Sequence, residues 1–400
     1  MVKVLFFTHS LNKGGAEKTV RTLSRYINEK VDGMESFACV VYDDQEMHKR
    51  VDNLIVMKHK SKPSDPKIIK AFHVLQQIAE MKKIKKKYAI DVCISFLPGA
   101  DIINVLSGVG EKQIVSVRNE ESFFAKNILK KLYVKFRYLR CDGIVALSDR
   151  VRQDVINYFK ILEKKVVTVH CAASEEKESR ECDELFLDFI KGKKVFINVG
   201  RLDQQKGQVH LIRAFHEMQK TCDDACLVIL GEGELEDKLA HTIDALGMRD
   251  KILLMGNQFN PADYMKMSDV FVLSSNVEGM PNVLVEALQC GIPIISTDCG
   301  AAKETLTPDI KAGTEITKVI NGKYGVLVPT CEGKYPNIDF EYDVNRDISE
   351  SEKIMAQAMT ELINDSERLA EYKQRSIECV QQFDQDYIMK KWVKVIKDII

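Results

Sequence analysis

No apolar run in the chain reaches the roughly 20 residues that a membrane-spanning helix needs. The first seven residues have the pattern of a short buried strand, so we expect neither a signal peptide nor a membrane helix. The eleven cysteines lack paired metal-ligand spacing and mostly fall within apolar segments. We therefore expect reduced core thiols and a cytoplasmic protein.

Net charge is almost absent as well, because 58 Lys and Arg balance 59 Asp and Glu. The balance is uneven along the chain: residues 1–172 carry an excess of 12 positive charges, and residues 173–400 an excess of 13 negative charges. This asymmetry suggests that the first half meets something anionic. Nucleic acid is disfavoured because no surface combining aromatic and basic residues is evident.

Strand-length apolar runs alternate with helical stretches from residue 2 to 169 and again from 194 to 329. Such alternation predicts parallel sheets with helices on both faces. We expect an α/β protein with a first domain at 1–172, a polar linker at 173–193 and a second domain at 194–384. A helix at about 385–400, which contains the only tryptophan, is expected to cross back to the first domain.

One stretch of the second domain predicts a strand, a tight loop and a helix, at residues 269–290. Pro281 suits the first helical position, and Gly291 can end the helix. Free N–H groups at a helix start attract phosphate, and Glu278 and Glu286 could accept hydroxyls of a ribose and a sugar. This pattern indicates a nucleotide-sugar site. The alternative is two solvated surface glutamates.

Three further loops follow predicted strands of the same domain and should lie on the same rim of its sheet. Arg201 and Lys206 flank a loop that leads into a helix, and two cations there could clamp a diphosphate. The alternative is a solvated basic pair. The glycines at 231 and 233 could pass the backbone close to a nucleobase, and residues 298–304 form the third loop.

With these motifs, the chain resembles the retaining glycosyltransferases of family 4, also called glycosyl transferases group 1. The resemblance covers nearly all of the second domain and the first only in outline. Its weaker motifs are Gly-Gly-Ala-Glu at 14–17, Gly200-Arg201 with Lys206-Gly207, and Gly231-Glu232-Gly233. Its stronger motifs are Glu278-Gly279-x-Pro281-Asn282-x3-Glu286-Ala287 and Pro293-x4-Asp298-x-Gly300-x3-Glu304.

The resemblance implies a GT-B fold, in which two Rossmann-like doubly wound domains face a central cleft. The first domain would bind the acceptor, and the second would bind the nucleotide-sugar donor. Arg201 and Lys206 would hold the diphosphate, Glu286 the ribose and Glu278 the donor sugar. The donor-binding residues that it implies are Gly15, Gly200, Arg201, Lys206, Gly231, Gly233, Glu278, Gly279, Met280, Pro281, Asn282, Val283 and Glu286.

The first domain departs from the family pattern. Members often have a histidine after the strand that corresponds to residues 113–117, whereas this chain has Arg118, Asn119 and Glu120 there. These three residues, with His9 and Gly14, are the candidates for the acceptor side, and a loop or core role is the alternative for His9. The implied catalytic residues are Glu278, Arg201, Lys206, Arg118 and Asn119.

The implied reaction moves a hexose-type sugar from a UDP-sugar, or another nucleotide diphosphate sugar, to a saccharide acceptor. A lipid-linked acceptor is expected, in the assembly of cell-surface polysaccharide or glycoconjugate. No cofactor beyond this co-substrate and no metal are expected, because Asp384-Gln385-Asp386 precedes the last helix and is typical of a helix cap. The competing class is a non-catalytic partner subunit that binds glycan or stabilises an active relative.

Two other enzyme classes fit less well. A retaining glycosidase needs two carboxyl groups flanking the scissile bond, which would leave the cation pair without a purpose. A dinucleotide oxidoreductase would need the full glycine fingerprint, which is absent.

A basic stretch at residues 123–140 predicts a helix on which apolar residues share one face: Phe124, Ile128, Leu132, Phe136 and Leu139. Residues 82–87 add a second lysine cluster. Together with the charge asymmetry, they suggest that the first domain rests on an anionic surface at the inner face of a membrane. The alternative is that the apolar face packs into the domain.

Overall fold

The computed structural model describes residues 1–11, 14–42, 51–62, 64–173, 179–311, 313–331 and 346–400. These residues form two compact units, one made of 1–172 with 385–400 and the other of 173–384. Asn12 and Lys13 of the first glycine loop, and residues 174–178 of the predicted linker, lie outside the described residues.

The first unit is a doubly wound parallel sheet. Its described strands are β1 (Val2–Thr8), β2 (Met34–Val40), β3 (Leu54–Val56), β4 (Val92–Phe96), β5 (Lys112–Val117), β6 (Gly143–Ala146) and β7 (Val166–Thr168). Its helices up to residue 172 are α1 (Gly15–Lys30), α2 (Lys67–Tyr88), α3 (Pro98–Leu106), α4 (Ile128–Arg140) and α5 (Asp149–Gln153), with a π-helix at Asp154–Tyr158 and 3₁₀ turns at Glu121–Phe123 and Glu163–Lys165. The strand order is β3-β2-β1-β4-β5-β6-β7.

Helices cover both faces of this sheet. From β1 the chain moves toward the β3 edge of the sheet to reach β2. The crossovers from β3 to β4, β4 to β5, β5 to β6 and β6 to β7 move toward the β7 edge. Because parallel crossovers are right-handed, α1 lies on one face, and α2, α3, α4 and α5 lie on the other. The cores agree: Val20 and Leu23 of α1 belong to one cluster, and Met81 of α2 and Ile103 of α3 to another.

The second unit repeats the architecture. Its described strands are β8 (Lys194–Val199), β9 (Ala225–Leu230), β10 (Ile252–Leu254), β11 (Val270–Leu273), β12 (Ile294–Thr297), β13 (Ile320–Asn321) and β14 (Val326–Val328), in the order β10-β9-β8-β11-β12-β14-β13. Only β13 is antiparallel among these paired strands. Its helices are α6 (Glu184–Ile190), α7 (Gln208–Gln219), α8 (Glu236–Ala245), α9 (Pro261–Lys266), α10 (Asn282–Gln289), α11 (Ala302–Leu306), α12 (Glu350–Ile363) and α13 (Ser366–Val380), with a 3₁₀ turn at Gln381–Phe383.

The last helix, α14 (Gln385–Ile399), belongs to the first unit. Its apolar residues Ile388, Trp392 and Ile396 are buried in the same core as α1. The Trp392 ring lies 5.9 Å from the Phe96 ring of β4, measured between centroids. The hydroxyl of Tyr26 on α1 donates to Asp386, 2.8 Å away. The terminal helix is therefore part of the first unit's core.

The segment predicted as a linker differs in one respect, because residues 184–190 form α6 of the second unit. Phe186 of this helix is fully buried and stacks edge-on against Tyr264, with 4.9 Å between ring centroids. Phe186 is the buried residue of a largely apolar run at 185–190, which the polar residues before it obscured in the sequence. The predicted core thiols are confirmed: none of the eleven cysteines forms a disulfide, and nine are buried.

Glu352 joins α12 to α7 through a buried set of polar groups. The carboxylate lies 2.8 Å from Nδ1 of His210, pairs with Arg346 and accepts the backbone N–H of Ser349 at 2.8 Å. Burial opposes the charged form, but the bonds from His210, Ser349 and Arg346 outweigh it and lower the pKa of Glu352 to about 2. The ionised form is thus bound by the fold.

Replacing Glu352 by glutamine should destabilise the protein at neutral pH by on the order of 3 kcal/mol. A carboxyl with a lowered pKa stabilises the fold above its unfolded value of about 4.5, and this contribution is lost as pH falls toward 2. Urea unfolding of both proteins at a series of pH values checks this. A difference between them that stays constant from pH 7 to pH 3 would contradict it.

Candidate active site

The strand order of the second unit changes direction between β8 and β11. The chain leaves β8 toward β9 on one side, and β11 lies on the other side. Loops at the carboxyl ends of such neighbouring strands diverge and form a crevice, which is where open α/β sheets bind their ligands. Residues 200–207 follow β8, and residues 274–281 follow β11. The sequence-predicted loops therefore meet at the expected position in the sheet.

Hydrogen bonds join these two loops closely. The hydroxyl of Ser274 donates to the carbonyl of Lys206 at 2.8 Å, and the N–H of Asn276 donates to the carbonyl of Gln205 at 2.8 Å. In return, the Gln205 amide donates to the carbonyl of Val277 at 2.8 Å. The position of one loop thus fixes that of the other.

At the centre of the crevice, Lys206 and Glu278 form an ion pair. Nζ of Lys206 lies 2.6 Å from Oε1 of Glu278, and their side chains are only 15% and 8% exposed. Ser275 also donates its hydroxyl to Oε1 of Glu278 at 3.0 Å. Burial works against the charged amine, but Glu278 outweighs it, and the pKa of Lys206 is raised. Lys206 is a half-buried positive charge that Glu278 holds in place.

Arg201 stands at the outer side of the same crevice. Its side chain is 73% exposed and pairs with Asp203 at 3.2 Å. A pocket of about 370 Å³ opens beside it, lined by residues 201, 203–205 and 232–234. Arg201 can therefore move toward a ligand, whereas Lys206 is already in place.

Two glycines allow neighbouring loops to touch. Gly231 has φ +145°, and a Cβ there would overlap the carbonyl oxygen of Gly200. Gly300 has φ +50°, and a Cβ there would lie 2.6 Å from the carbonyl oxygen of Gly279. Only glycine suits both positions. The four loops after β8, β9, β11 and β12 are therefore braced in pairs.

Helix α10 begins at Asn282, so Pro281 is the N-cap residue rather than the first helical residue that was predicted. Proline has no side-chain oxygen to cap the helix, which leaves the first N–H groups of α10 to other acceptors. Residues 279–281 are buried, and Asn282 and Val283 are half-buried. Glu286 is half-buried on the next turn.

The first unit has its own reversal of strand order, between β1 and β4. His9 follows β1, and its ring lies against Gly99 after β4, so that a Cβ at Gly99 would overlap the imidazole. Burial lowers the pKa of His9. Leu97, beside it, has φ +79°, a strained conformation for a branched residue and one that clusters at functional sites. The candidate histidine therefore lies where the strand order of this sheet reverses.

Arg118 follows β5 and is half-buried. It donates from Nη2 to the carbonyl of Gly15 and to the hydroxyl of Thr19, both at 3.3 Å. Burial lowers its pKa to about 10, against the opposing effects of Cys171 and Glu17. Gly14 is the N-cap of α1, and Gly15 is its first residue. Arg118 thus holds the start of the helix that carries the first glycine loop.

Asn119 and Glu120, which follow Arg118, differ in their burial and partners. Glu120 is buried and pairs with Nε of Arg150 at 2.8 Å, which gives it a structural partner in place of a ligand. Asn119 is half-buried. Sequence reasoning also missed Gln205 and Ser275, which hold the Glu278 loop. The only sequence feature that pointed to them was their position within the loops after β8 and β11.

Neither a metal cluster nor a membrane-spanning helix occurs among the described residues. No group of three or more His, Cys, Asp or Glu side chains that could hold a metal ion occurs among them. None of their helices is both long and apolar enough to cross a membrane.

Two Rossmann-like units, one with a cation and a carboxylate at its switch point, define the GT-B class of glycosyltransferases. The structure of Anabaena HepE in complex with UDP and glucose matches with a TM-score of 0.73 and 14% identity, over 100% of both chains. The model for Glycosyl transferases group 1 matches residues 184–317, and that for Glycosyltransferase Family 4 matches residues 13–177.

Two curated relatives align along most of the chain. An uncharacterized glycosyltransferase of Methanocaldococcus jannaschii is 30% identical over 87% of this chain and 89% of its own. A Campylobacter jejuni enzyme is 29% identical over 78% of this chain and 85% of its own. It is named N-acetylgalactosamine-N,N'-diacetylbacillosaminyl-diphospho-undecaprenol 4-alpha-N-acetylgalactosaminyltransferase. The chain belongs to glycosyltransferase family 4.

Proposed function

We propose that this glycosyltransferase is a retaining, metal-independent hexosyltransferase that takes its sugar from a UDP-sugar. Its acceptor is a saccharide linked to a lipid, used in cell-surface polysaccharide or glycoconjugate synthesis at the inner face of the membrane. The observation that carries the proposal is the Lys206–Glu278 pair at the switch point of the second sheet. The UDP complex of HepE and the lipid-linked substrate named for the Campylobacter enzyme support the donor and the acceptor.

The ion pair is the resting form of the donor site. When a diphosphate enters, the Lys206 ammonium can exchange the carboxylate for a phosphate oxygen, since both are anionic acceptors. Glu278 then accepts hydroxyls of the sugar. Arg201 is free to swing from Asp203 to the outer phosphate.

The chemistry follows from where negative charge develops. As the bond between the sugar and the diphosphate breaks, the electron pair goes to the leaving phosphate oxygen. A cation already placed there stabilises that charge without reorganisation. Lys206, Arg201 and the N-terminus of α10 supply positive charge that a divalent metal supplies in other transferases. On the first unit, His9, Arg118 and Asn119 serve the acceptor.

A non-catalytic partner subunit is the second candidate. A binding subunit would have no need to keep a cation and a carboxylate together at the switch point, where they are placed for a diphosphate and a sugar. The Lys206–Glu278 pair therefore favours the enzyme. Binding of a nucleotide diphosphate separates the two candidates.

Calorimetry with UDP, GDP, ADP and CMP, in the presence of a chelator, tests the donor site. We expect UDP to bind selectively, and Glu286→Ala to weaken it about 10- to 100-fold through loss of a charged hydrogen bond to the ribose. Glu361→Ala, which removes an exposed carboxylate of α12 outside these loops, is the matched control and should bind UDP like the wild type. Absence of binding by any of the four would favour the partner subunit, and binding only with added magnesium would contradict metal independence.

A further inference from the structure

Helix α4 buries an arginine and exposes several large apolar side chains. Arg137 is fully buried, together with Val134 and Tyr138. Its guanidinium donates to Asp101 of α3 at 2.8 Å and pairs with Glu121. This buried ion-pair network fixes the rotation of α4 about its axis.

The opposite face of α4 is apolar and exposed. Its large side chains have exposed fractions of 42 to 76%: Ile128 66%, Leu129 76%, Leu132 54%, Phe136 42% and Leu139 59%. The interpretation that this face packs into the domain is therefore wrong. Scattered exposed leucines are common, but a continuous stripe of this length marks an interaction surface.

A second apolar patch lies on the first half of α2. Ile68, Phe72 and Leu75 are 84%, 58% and 65% exposed, at helical spacing. Both helices belong to the layer that covers one face of the first sheet. Each begins after the carboxyl end of a strand, so the α2 patch and the first residues of the α4 stripe lie toward the same edge of the sheet as His9 and Arg118.

The charges around the α4 stripe have one sign. Residues 122–141 include no acidic side chain. Lys126, Lys130 and Arg140 are exposed around this stripe. On α2, Lys67 is exposed beside the apolar patch, and Lys82, Lys83 and Lys86 are exposed on the second half of the helix. Lys85 is the exception in the second cluster: it is buried and pairs with Glu111 at 2.6 Å. Apolar side chains framed by lysines match the interface of an anionic bilayer.

We propose that α4 and the first half of α2 form a docking face that inserts Leu129, Leu132, Ile68 and Phe72 into an anionic lipid bilayer. A second copy of the chain is disfavoured because the faces would bring lysine to lysine. The proposal rests on the proposed function, since it would hold the acceptor edge of the first unit at the surface where a lipid-linked saccharide resides.

Co-sedimentation with vesicles tests this face. One set is phosphatidylcholine alone, and the other is equal parts of phosphatidylcholine and phosphatidylglycerol. We expect the full chain to bind the anionic set and to be released by salt. Leu129→Glu/Leu132→Glu should weaken binding about tenfold or more, because two leucines that insert into the bilayer are replaced by charges. Lys126→Gln/Lys130→Gln should weaken it about fivefold for each lysine.

The matched control is Leu185→Glu on α6 of the second unit, where Leu185 is 62% exposed. It should bind like the wild type. Equal binding to both vesicle sets, or unchanged binding of both double variants, would overturn the proposal. A wild-type dimer in sedimentation equilibrium that Leu129→Glu/Leu132→Glu converts to a monomer would assign the face to self-association instead.

Nucleotide binding separates this proposal from the enzymatic one. The double variants should retain UDP binding, because their residues lie far along the sequence from the donor loops and in the other unit. Vesicle binding without UDP binding would leave the docking face standing and remove the proposed function. UDP binding without vesicle binding would support the donor site of the proposed function and overturn the docking face.

Discussion

Replacing Lys206 by alanine should lower the rate of sugar transfer about a hundred- to a thousandfold, the usual cost of removing one preorganised group from a developing charge. The effect should fall mainly on kcat, because Lys206 is paired with Glu278 before the donor arrives and gains most as the diphosphate leaves. Steady-state kinetics with a radiolabelled UDP-sugar measure it. Turnover within tenfold of the wild type would contradict the role of Lys206 in stabilising the leaving diphosphate.

Two further variants separate chemistry from folding. Lys206→Ala leaves Glu278 without its cation in a buried site, which can itself destabilise the protein. Lys206→Ala/Glu278→Gln removes both charges and should recover stability but not turnover. Lys194→Ala is the matched control, since Lys194 pairs with Asp224 at 3.2 Å at the opposite end of β8. Its kinetics should be unchanged.

Replacing Trp392 by alanine should destabilise the first unit by about 3–5 kcal/mol, the cost of deleting a large buried ring. Trp392 is fully buried against Phe96, although it lies near the end of the chain. Urea unfolding followed by circular dichroism measures the change. In the wild type, fluorescence of this single tryptophan reports the same unit.

Trp392→Phe should cost much less than the alanine variant. The indole N–H of Trp392 has no hydrogen-bond partner among the described residues, so phenylalanine removes an unsatisfied buried donor while it keeps most of the apolar contact. Tyr387→Ala on the same helix, at a residue 49% exposed, is the surface control. A loss below 1 kcal/mol in Trp392→Ala would show that α14 contributes little to the core.

The strands and loops of the second unit follow closely from the sequence, because buried parallel strands are continuous apolar runs and the site loops follow them directly. Two short edge strands, β3 and β13, were not predicted, since three and two residues leave no period to detect. Pro281 is the N-cap of α10, one position before the predicted first helical residue, and this difference is within the usual uncertainty of a helix end.

What the sequence could not reveal depends on contacts distant along the chain. Arg137 and Lys85 stand in basic stretches and gave no sign of being buried, because their acidic partners Asp101, Glu121 and Glu111 come from other elements. The strained Leu97 is equally invisible, since backbone strain has no signature in composition. The orientation of α4, and hence its exposed apolar face, follows from the joint burial of Val134, Arg137 and Tyr138.

The paired bracing of the site loops has a consequence for protein engineering. Gly231 touches the backbone of Gly200, and Gly300 touches that of Gly279, so each loop is a template for its neighbour. A chimaera that imports one loop from a relative with a different donor would meet a partner shaped for the original. Because hydrogen bonds also join the loops after β8 and β11, a graft intended to change the donor should exchange the loops after β8, β9, β11 and β12 together.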